Sequence, residues 1–577
     1  MKKSNFKIYV TAFSLISLVG CIDLGDVKDY GSYSPDNVWN DEKLSSAYLS
    51  SLYANVLGGF PVNSGNNADE SGGILGRDAV QTNNGSFKYW PYGNIRNINV
   101  MLKEIDMGTM SDQKKNPMKA QAMFLRAYLY FNAVKHHGGV PIIKVPQEMT
   151  DDLQVTRNTT AECFDFILED LDYALQNLPE KNSGKDYGRI DQAAVLAFKA
   201  KVLLYKASPQ FNPTNPYGNK YWADAFQATK EAKEKLEQWG YSLVPNYNDV
   251  FMTENHVEAV LPVVFKDPGK TNGRLEDMVR PLSESKNSTG GDQPIWALVS
   301  AYPMKDGKAP GISNKYTYQE QTFWKDRDPR FYSTVVYNGA VYELSGKKGR
   351  RQYTTPNLAS SLDAFGINIQ GEHHYRTGLF CRKGIMESLS SAQVNLNGVD
   401  WLEIRYAEVL FNYAEAANEM GDVSVGYDVL TRIRQRAGLE PGTDGLYGLK
   451  AGISREEMRM ALLDEKYIEF AFEGHRFWDL RRHRLFATKL DGIRKYGVHA
   501  RVKESIDPEK AMDMAAKYQL LPEDFDYDIM ELISTGEKQM SLPDTYYFFP
   551  IHKDEIEKNP KLEQNVNWGG NFDPTLQ

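Results

Sequence analysis

Two groups of charged residues in this 577-residue chain could do chemistry. Glu408, Glu415 and Glu419 stand seven and then four residues apart, which sets them on one side of a helix. Facing carboxylates about 5–10 Å apart cleave glycosidic bonds, so a hydrolase is one reading. Arg405, Arg432, Arg434 and Arg436 lie in the same stretch, and a structural charge network is the better account. Glu473, His475, Arg476, Asp479 and Arg481 could form a metal or catalytic cluster. Packing charges around a buried Phe477 and Trp478 explain them more simply. His136-His137 and His373-His374 are adjacent pairs whose side chains point apart on a helix or strand, which suits a shared metal poorly. No G-x-S-x-G, zinc-ligand spacing or phosphate loop occurs. The expectation is a protein that is not an enzyme.

A third reactive group is the thiol of Cys21. Lys2, Lys3 and Lys7 precede a short apolar run from Ile8 to Val19, and Leu18-Val19-Gly20-Cys21 ends it. Spanning a bilayer takes about 20 apolar residues, so this run reads as a processed leader rather than a membrane helix. The tetrapeptide resembles a bacterial lipobox, in which the cysteine is acylated and becomes the first mature residue. The polar, Gly-containing stretch from Ile22 to Asn37 then serves as a flexible tether. Acylation of Cys21 leaves only Cys163 and Cys381, which is no disulfide framework. Cys163 falls on the apolar face of an expected helix and reads as a small buried hydrophobe, while a single bridge to Cys381 stays open.

The formal charge is −9, and it becomes −12 once the three leader lysines are removed. Such a chain repels polyanions, and it carries no basic tract, so nucleic acid is excluded as a partner. Aromatic residues make up 12% of the chain, with 34 Tyr and 9 Trp. These amphipathic rings point to a ligand with apolar ring faces. Sugar rings present such faces, and each ring buried against an aromatic is worth about 1–2 kcal/mol at roughly 25 cal/mol per Å². Several rings and planar polar groups must therefore act together.

The elements that must hold these groups are mostly helices. Asn116-Pro117 reads as an N-cap and first residue of a helix through Met118, Ala122, Leu125 and Leu129, stopped by Gly138-Gly139. Thr159-x-x-Glu162 is a capping box, Asp191 an N-cap, and Trp222 to Leu236 a fourth helix. Leu402 to Ala417 and Tyr427 to Ala437 repeat the pattern, and Ser454-x-x-Glu457 opens a long helix through Met458, Leu462 and Phe472. Ala414, Ala417, Gly426 and Ala437 let paired helices approach closely. Between Tyr241 and Asp400 the periodicity fades into Gly-, Pro-, Asn- and Tyr-rich sequence, as it does from Gly58 to Tyr92. Long irregular stretches on a helical scaffold are where binding surfaces sit.

The chain resembles the SusD/RagB-like nutrient-binding outer-membrane lipoproteins of Bacteroidetes. The match is clearest in Ile404-Arg405-Tyr406-Ala407-Glu408-Val409-Leu410, Tyr413-Ala414-Glu415-Ala416 and Ile433-Arg434-x-Arg436-Ala437-Gly438. It continues through Glu465-Lys466, Glu473-Gly474-His475-Arg476-Phe477-Trp478-Asp479-Leu480-Arg481 and Phe549-Pro550-Ile551. Upstream, Asp306-Gly307, Arg327-Asp328-Pro329-Arg330 and Gly138-Gly139-Val140-Pro141 follow in the family's order.

The resemblance implies a mainly α fold of tetratricopeptide-like helical pairs, an α-α superhelix with a large loop-rich region. It implies a leader at 1–20, a lipid-anchored tether at 21–37 and one domain at 38–577. Within that domain, helical pairs at 38–240 and 401–577 flank the variable region at 241–400. It also implies a protein held on the outer membrane through a lipid on Cys21. There it would capture oligosaccharides, or peptides, for a SusC-like TonB-dependent transporter. A transporter-bound scaffold without its own ligand, or less favourably a surface glycoside hydrolase, is the alternative. Asp69, Arg77, Trp90, Tyr92 and Asn94 lie where the family often places ligand contacts. Trp296, Tyr302 and Trp324 lie in the central region, which also contributes. No cofactor is expected; some relatives carry a structural calcium ion, which this sequence does not establish.

Overall fold

The computed structural model describes residues 35–72, 80–83, 85–286, 290–356, 358, 362–365, 376–532 and 539–576. Cys21, Arg77, the His373-His374 pair, the leader and most of the tether lie outside the described residues.

The scaffold is built of helical pairs. After α1 (Glu42–Val56) and α2 (Tyr92–Met107), α3 (Asp112–His137) packs on α4 (Thr160–Asn177). Next, α5 (Gln192–Ala207) packs on α6 (Tyr221–Gln238). The short α7 (Pro329–Thr334) lies in the central region. In the C-terminal third, α8 (Tyr406–Glu419) packs on α9 (Val423–Ala437), and α10 (Arg455–Glu469) and α11 (Arg476–Arg482) follow. Antiparallel two-stranded ribbons join β1 (Ala259–Val263) to β4 (Trp401–Arg405), β2 (Val335–Val336) to β3 (Phe380–Cys381), and β5 (Tyr496–Val502) to β6 (Phe525–Glu531). The fold is a mainly helical, tetratricopeptide-like one.

Local chemistry accounts for many of the boundaries. Thr159 accepts from the Glu162 amide while Glu162 reaches back, so the expected capping box opens α4. Ser454 and Glu457 do the same for α10, and Asp191 caps α5. Gly438 closes α9 in the left-handed conformation at φ 86°. Gly426 is needed for closeness: a Cβ there would stand 2.5 Å from Met458 Sδ, between α9 and α10.

Three boundaries differ from the sequence reading. α3 begins at Asp112, with Pro117 inside it. The ring removes a bond to the carbonyl of Gln113, an exposed residue in the first turn, where the loss is tolerated. Leu402 belongs to strand β4, where it pairs with Pro262, and the helix starts only at Tyr406. Phe472 lies beyond the end of α10 at φ 63°, where its N–H donates to Glu70 at 3.0 Å.

Two large apolar cores result among the described residues, beside two small clusters. One runs through the helical pairs and includes Phe124, Leu171, Leu410 and Leu462. The other fills the central region with Leu298, Phe323, Phe331 and Leu379. Each such side chain contributes roughly 1.5–3 kcal/mol on burial. Cys163 is fully buried in the first core, and both it and Cys381 are free thiols, so no bridge joins them. The C-terminal segment clasps the end of α3: Asn565 donates to the His137 carbonyl at 3.1 Å, and Thr160 to that of Pro574 at 2.9 Å.

Candidate functional site

The charges that drew attention in the sequence form a buried network. Arg405, 1% exposed, bonds Glu258, Glu469 and Glu473, each at 2.8 Å. Arg330 joins Asp328, Glu465 and Glu469 at 2.7, 2.6 and 3.0 Å, and Arg436 bridges Glu258 and Glu469. Burial alone would raise the Glu469 carboxyl, but Arg436, Arg405 and Arg330 outweigh it and hold the group well below the usual carboxylate range. Arg476 grips Asp69 with two bonds of 2.9 Å. Glu419 is paired with Arg455 and Arg459, Glu415 with Arg482, and Glu408 with Lys201. The structural reading of both charged clusters therefore stands, though with partners drawn from distant parts of the chain.

Above this network opens a cleft of about 800 Å³, within the range of small-molecule sites. Its walls come from the loop before and through Phe251, from α7, from the turn after β3, and from the end of α9. Asp328 caps α7 by accepting from the Arg330 amide, and Pro329 starts it. That turn presents Tyr332, whose hydroxyl donates to the Trp324 carbonyl at 2.6 Å, leaving the ring half-buried at the wall. Arg382 Nε donates to Glu387 at 2.7 Å, and the backbone N–H of Glu343 fixes the other Glu387 oxygen at 2.7 Å. Asn246 and Asn248 are exposed on the opposite lip, beside exposed Met252. The floor is Lys383 and Arg436, both held by the network. An aromatic ring, a thioether and planar polar groups in one groove suit a hydroxylated ligand with C–H faces.

Against this geometry the expected residues divide. Trp90 and Tyr92 are half-buried neighbours, their ring centroids 4.9 Å apart, and Tyr92 donates to the Pro141 carbonyl at 2.6 Å. Asn94 donates to the Asn55 carbonyl at 3.2 Å. Asp69 is a correction: it is buried and committed to Arg476, so it presents no free carboxylate. Tyr302 and Trp324 are also corrections, 0% and 5% exposed in the central core, with no face left for a ligand. Trp296 stays half-buried and meets the same core through Phe323, at 5.5 Å. Structure thus gathers Trp296, Tyr302 and Trp324 into one aromatic cluster, while Trp90 and Tyr92 pack on the other core. Tyr332, Arg382, Glu387, Asn246 and Asn248 went unnoticed, because the cleft joins segments that no local pattern connects. Their only signal was membership of the irregular stretch from Tyr241 to Asp400.

His136 and His137 are buried, and His137 bonds the carbonyls of Phe549 and Tyr89, each at 3.1 Å. Burial pushes His137 down to about 4, against the two carbonyl contacts, which favour the protonated ring. No His, Cys, Asp and Glu group among the described residues is arranged to hold a metal ion. Nor is any described helix long and apolar enough to cross a membrane.

Scaffold and cleft together define a helical-pair protein with a loop-walled ligand groove. Residues 257–568 match the model of the SusD family, and residues 38–204 match one described as starch-binding associating with outer membrane. The chain belongs to the SusD family. A SusD-like protein of Formosa agariphila is 24% identical over 518 residues, covering 84% of this chain and 91% of that one. A SusD-like protein of Bacteroides ovatus is 31% identical over 186 residues, 32% of each chain. A solved SusD-like protein from Bacteroides fragilis superimposes with a TM-score of 0.71 at 24% identity, over 92% of this chain and 98% of its own. A laminarin-binding SusD-like protein gives 0.59 at 20% identity, over 91% and 99%.

Proposed function

We propose that this chain captures oligosaccharides in the cleft beside Tyr332 and delivers them to a SusC-like TonB-dependent transporter of the outer membrane. A lipid on Cys21 would hold it there. The observation that carries the reading is the cleft itself, with Tyr332, the Arg382–Glu387 pair and two exposed asparagines around one groove. The laminarin-binding SusD-like protein supports it, as does the surface glycan-binding protein A of Bacteroides thetaiotaomicron, which shares the fold at a TM-score of 0.56 and 18% identity over 92% of this chain and 99% of its own. Capture rather than cleavage fits Glu408 and Glu415, which are ion-paired with Lys201, through one oxygen, and with Arg482. Trp90, Tyr92 and Trp296, half-buried near the surface, are candidates for a wider contact area. Arg77 keeps its candidacy on the resemblance alone.

Titration of the soluble chain lacking residues 1–21 against laminarin, starch and other polysaccharides tests the reading. Binding that weakens in Arg382→Ala is expected. Peptide binding with no polysaccharide binding would replace glycan capture by peptide capture. Co-purification of the transporter with the acylated chain, lost in Cys21→Ser, tests the anchoring and delivery parts.

A further inference from the structure

A second cavity, of about 310 Å³, lies inside the helical scaffold, walled by α3, α5, α8 and α11. That volume is at the lower end for small-molecule sites. Its wall is charged, and most of the charge is spent. Lys466 pairs with Asp479 at 2.8 Å, Arg482 with Asp479 and Glu415, and Glu473 with Arg405 and Lys383. Glu403 accepts from the Tyr128 hydroxyl at 2.7 Å and the Trp401 indole at 2.9 Å.

Several groups on that wall have no hydrogen-bond partner among the described residues, the Tyr205 hydroxyl and the His475 ring among them, and three of them bear on a charged ligand. Lys135 makes no side-chain hydrogen bond or ion pair among the described residues, and its ammonium rests 4.0 Å from the Trp478 ring centroid. Asn412, 4% exposed, has a side-chain amide without a partner among the same residues. Glu408, 3% exposed, gives one oxygen to Lys201 at 2.9 Å, while its Oε2 is buried with no hydrogen bond. Buried polar groups left without partners cost stability, and native proteins rarely tolerate them together. Here Glu408 and Asn412, both buried, and the half-buried Lys135 line one cavity.

Their chemistry is complementary to one kind of molecule. An unpaired ammonium asks for an anion, a bare carboxylate oxygen for a donor, and an amide for either. A neutral sugar would hydrogen-bond all three but leave the Lys135 charge without a counter-ion. An inorganic anion would satisfy Lys135 but leave the other two open. We propose that this cavity binds a small hydroxylated carboxylate of monosaccharide size, with its carboxylate at Lys135 and its hydroxyls at Glu408 and Asn412. Burial and the neighbouring Lys201 charge press the Lys135 ammonium down to about 7, against the pull of Glu403 and Glu408. Burial holds His475, also on the wall, down to about 4, and it adds no competing positive charge. The inference does not rest on glycan capture in the outer cleft.

Calorimetry and thermal melting of the purified chain with D-glucuronate as probe test it. Glucuronate is expected to bind and to raise the melting temperature, with glucose and sodium chloride at least tenfold weaker. Lys135→Met keeps the stem over Trp478, should weaken glucuronate at least tenfold, and should melt higher than the parent without ligand. Asn412→Leu, with Lys135 intact, should weaken glucuronate severalfold. No glucuronate binding to the folded parent chain, equal binding of glucose, or undiminished binding in both variants would overturn the proposal.

Discussion

The buried network and the cleft above it share a boundary but obey opposite rules. Beneath, Arg405, Arg330 and Arg436 are each ion-paired to two or more buried carboxylates, and the motifs that make the family recognisable tie β4, α7, α9 and α10 together. Above, Asn246, Asn248, Tyr332 and Arg382 stand partly open to solvent on loops and a short helix. Lys383 and Arg436 belong to both, fixed from below and facing the groove from above. The comparison teaches that charge density in this fold marks rigidity, while ligand contact falls to sparse polar and aromatic groups carried over a rigid floor.

That contrast can be broken experimentally. Arg405→Met takes one cation from each of Glu258, Glu469 and Glu473, leaving three buried carboxylates to Arg436, Arg330 and Lys383, and should cost roughly 3–5 kcal/mol, read by urea unfolding; a smaller loss than 1 kcal/mol would show the network to be ornamental. Trp324→Ala empties part of the central core and should cost about 3 kcal/mol. Its melting temperature should fall even though the residue looked like a ligand contact in the sequence. Tyr332→Ala should reverse the balance: polysaccharide affinity falls about 5- to 30-fold, the equivalent of roughly 1–2 kcal/mol, while the melting temperature moves by only a few degrees. The smallest effect is expected at the surface. Lys325 and Glu523 form a 3.1 Å pair with both side chains about half exposed, and Lys325→Ala should cost under about 1 kcal/mol and become neutral at high salt.

How much of this was legible depended on sequence distance. Thr159 with Glu162, Ser454 with Glu457, Asp191 and Gly438 act within a turn of themselves, so their roles could be read directly. Pro117 misled because a proline that suits a helix start is also tolerated further in, when the carbonyl it deprives faces water. Leu402 misled because an apolar run entering a helix looks like the helix itself until its strand partner, Pro262, is known. The charge clusters were rightly taken as structural, yet their partners were not visible: Arg405 reaches Glu258 across 147 residues, and Arg476 reaches Asp69 across 407. Asp69, Tyr302 and Trp324 have residue types suited to sugar, and only their burial shows that they pack instead. Tyr332 and Arg382 have the same types and the opposite exposure, a difference set wholly by tertiary contacts.

The clasp at the end of α3 also has a meaning in time. Thr160 and Pro574 are joined across 414 residues. At about 5–20 residues per second, a nascent chain waits about 20–80 seconds after making the first partner before it makes the second. Through that interval the C-terminal end of α3 and the start of α4 lack this cover. Closure of this contact is deferred until synthesis has passed Pro574.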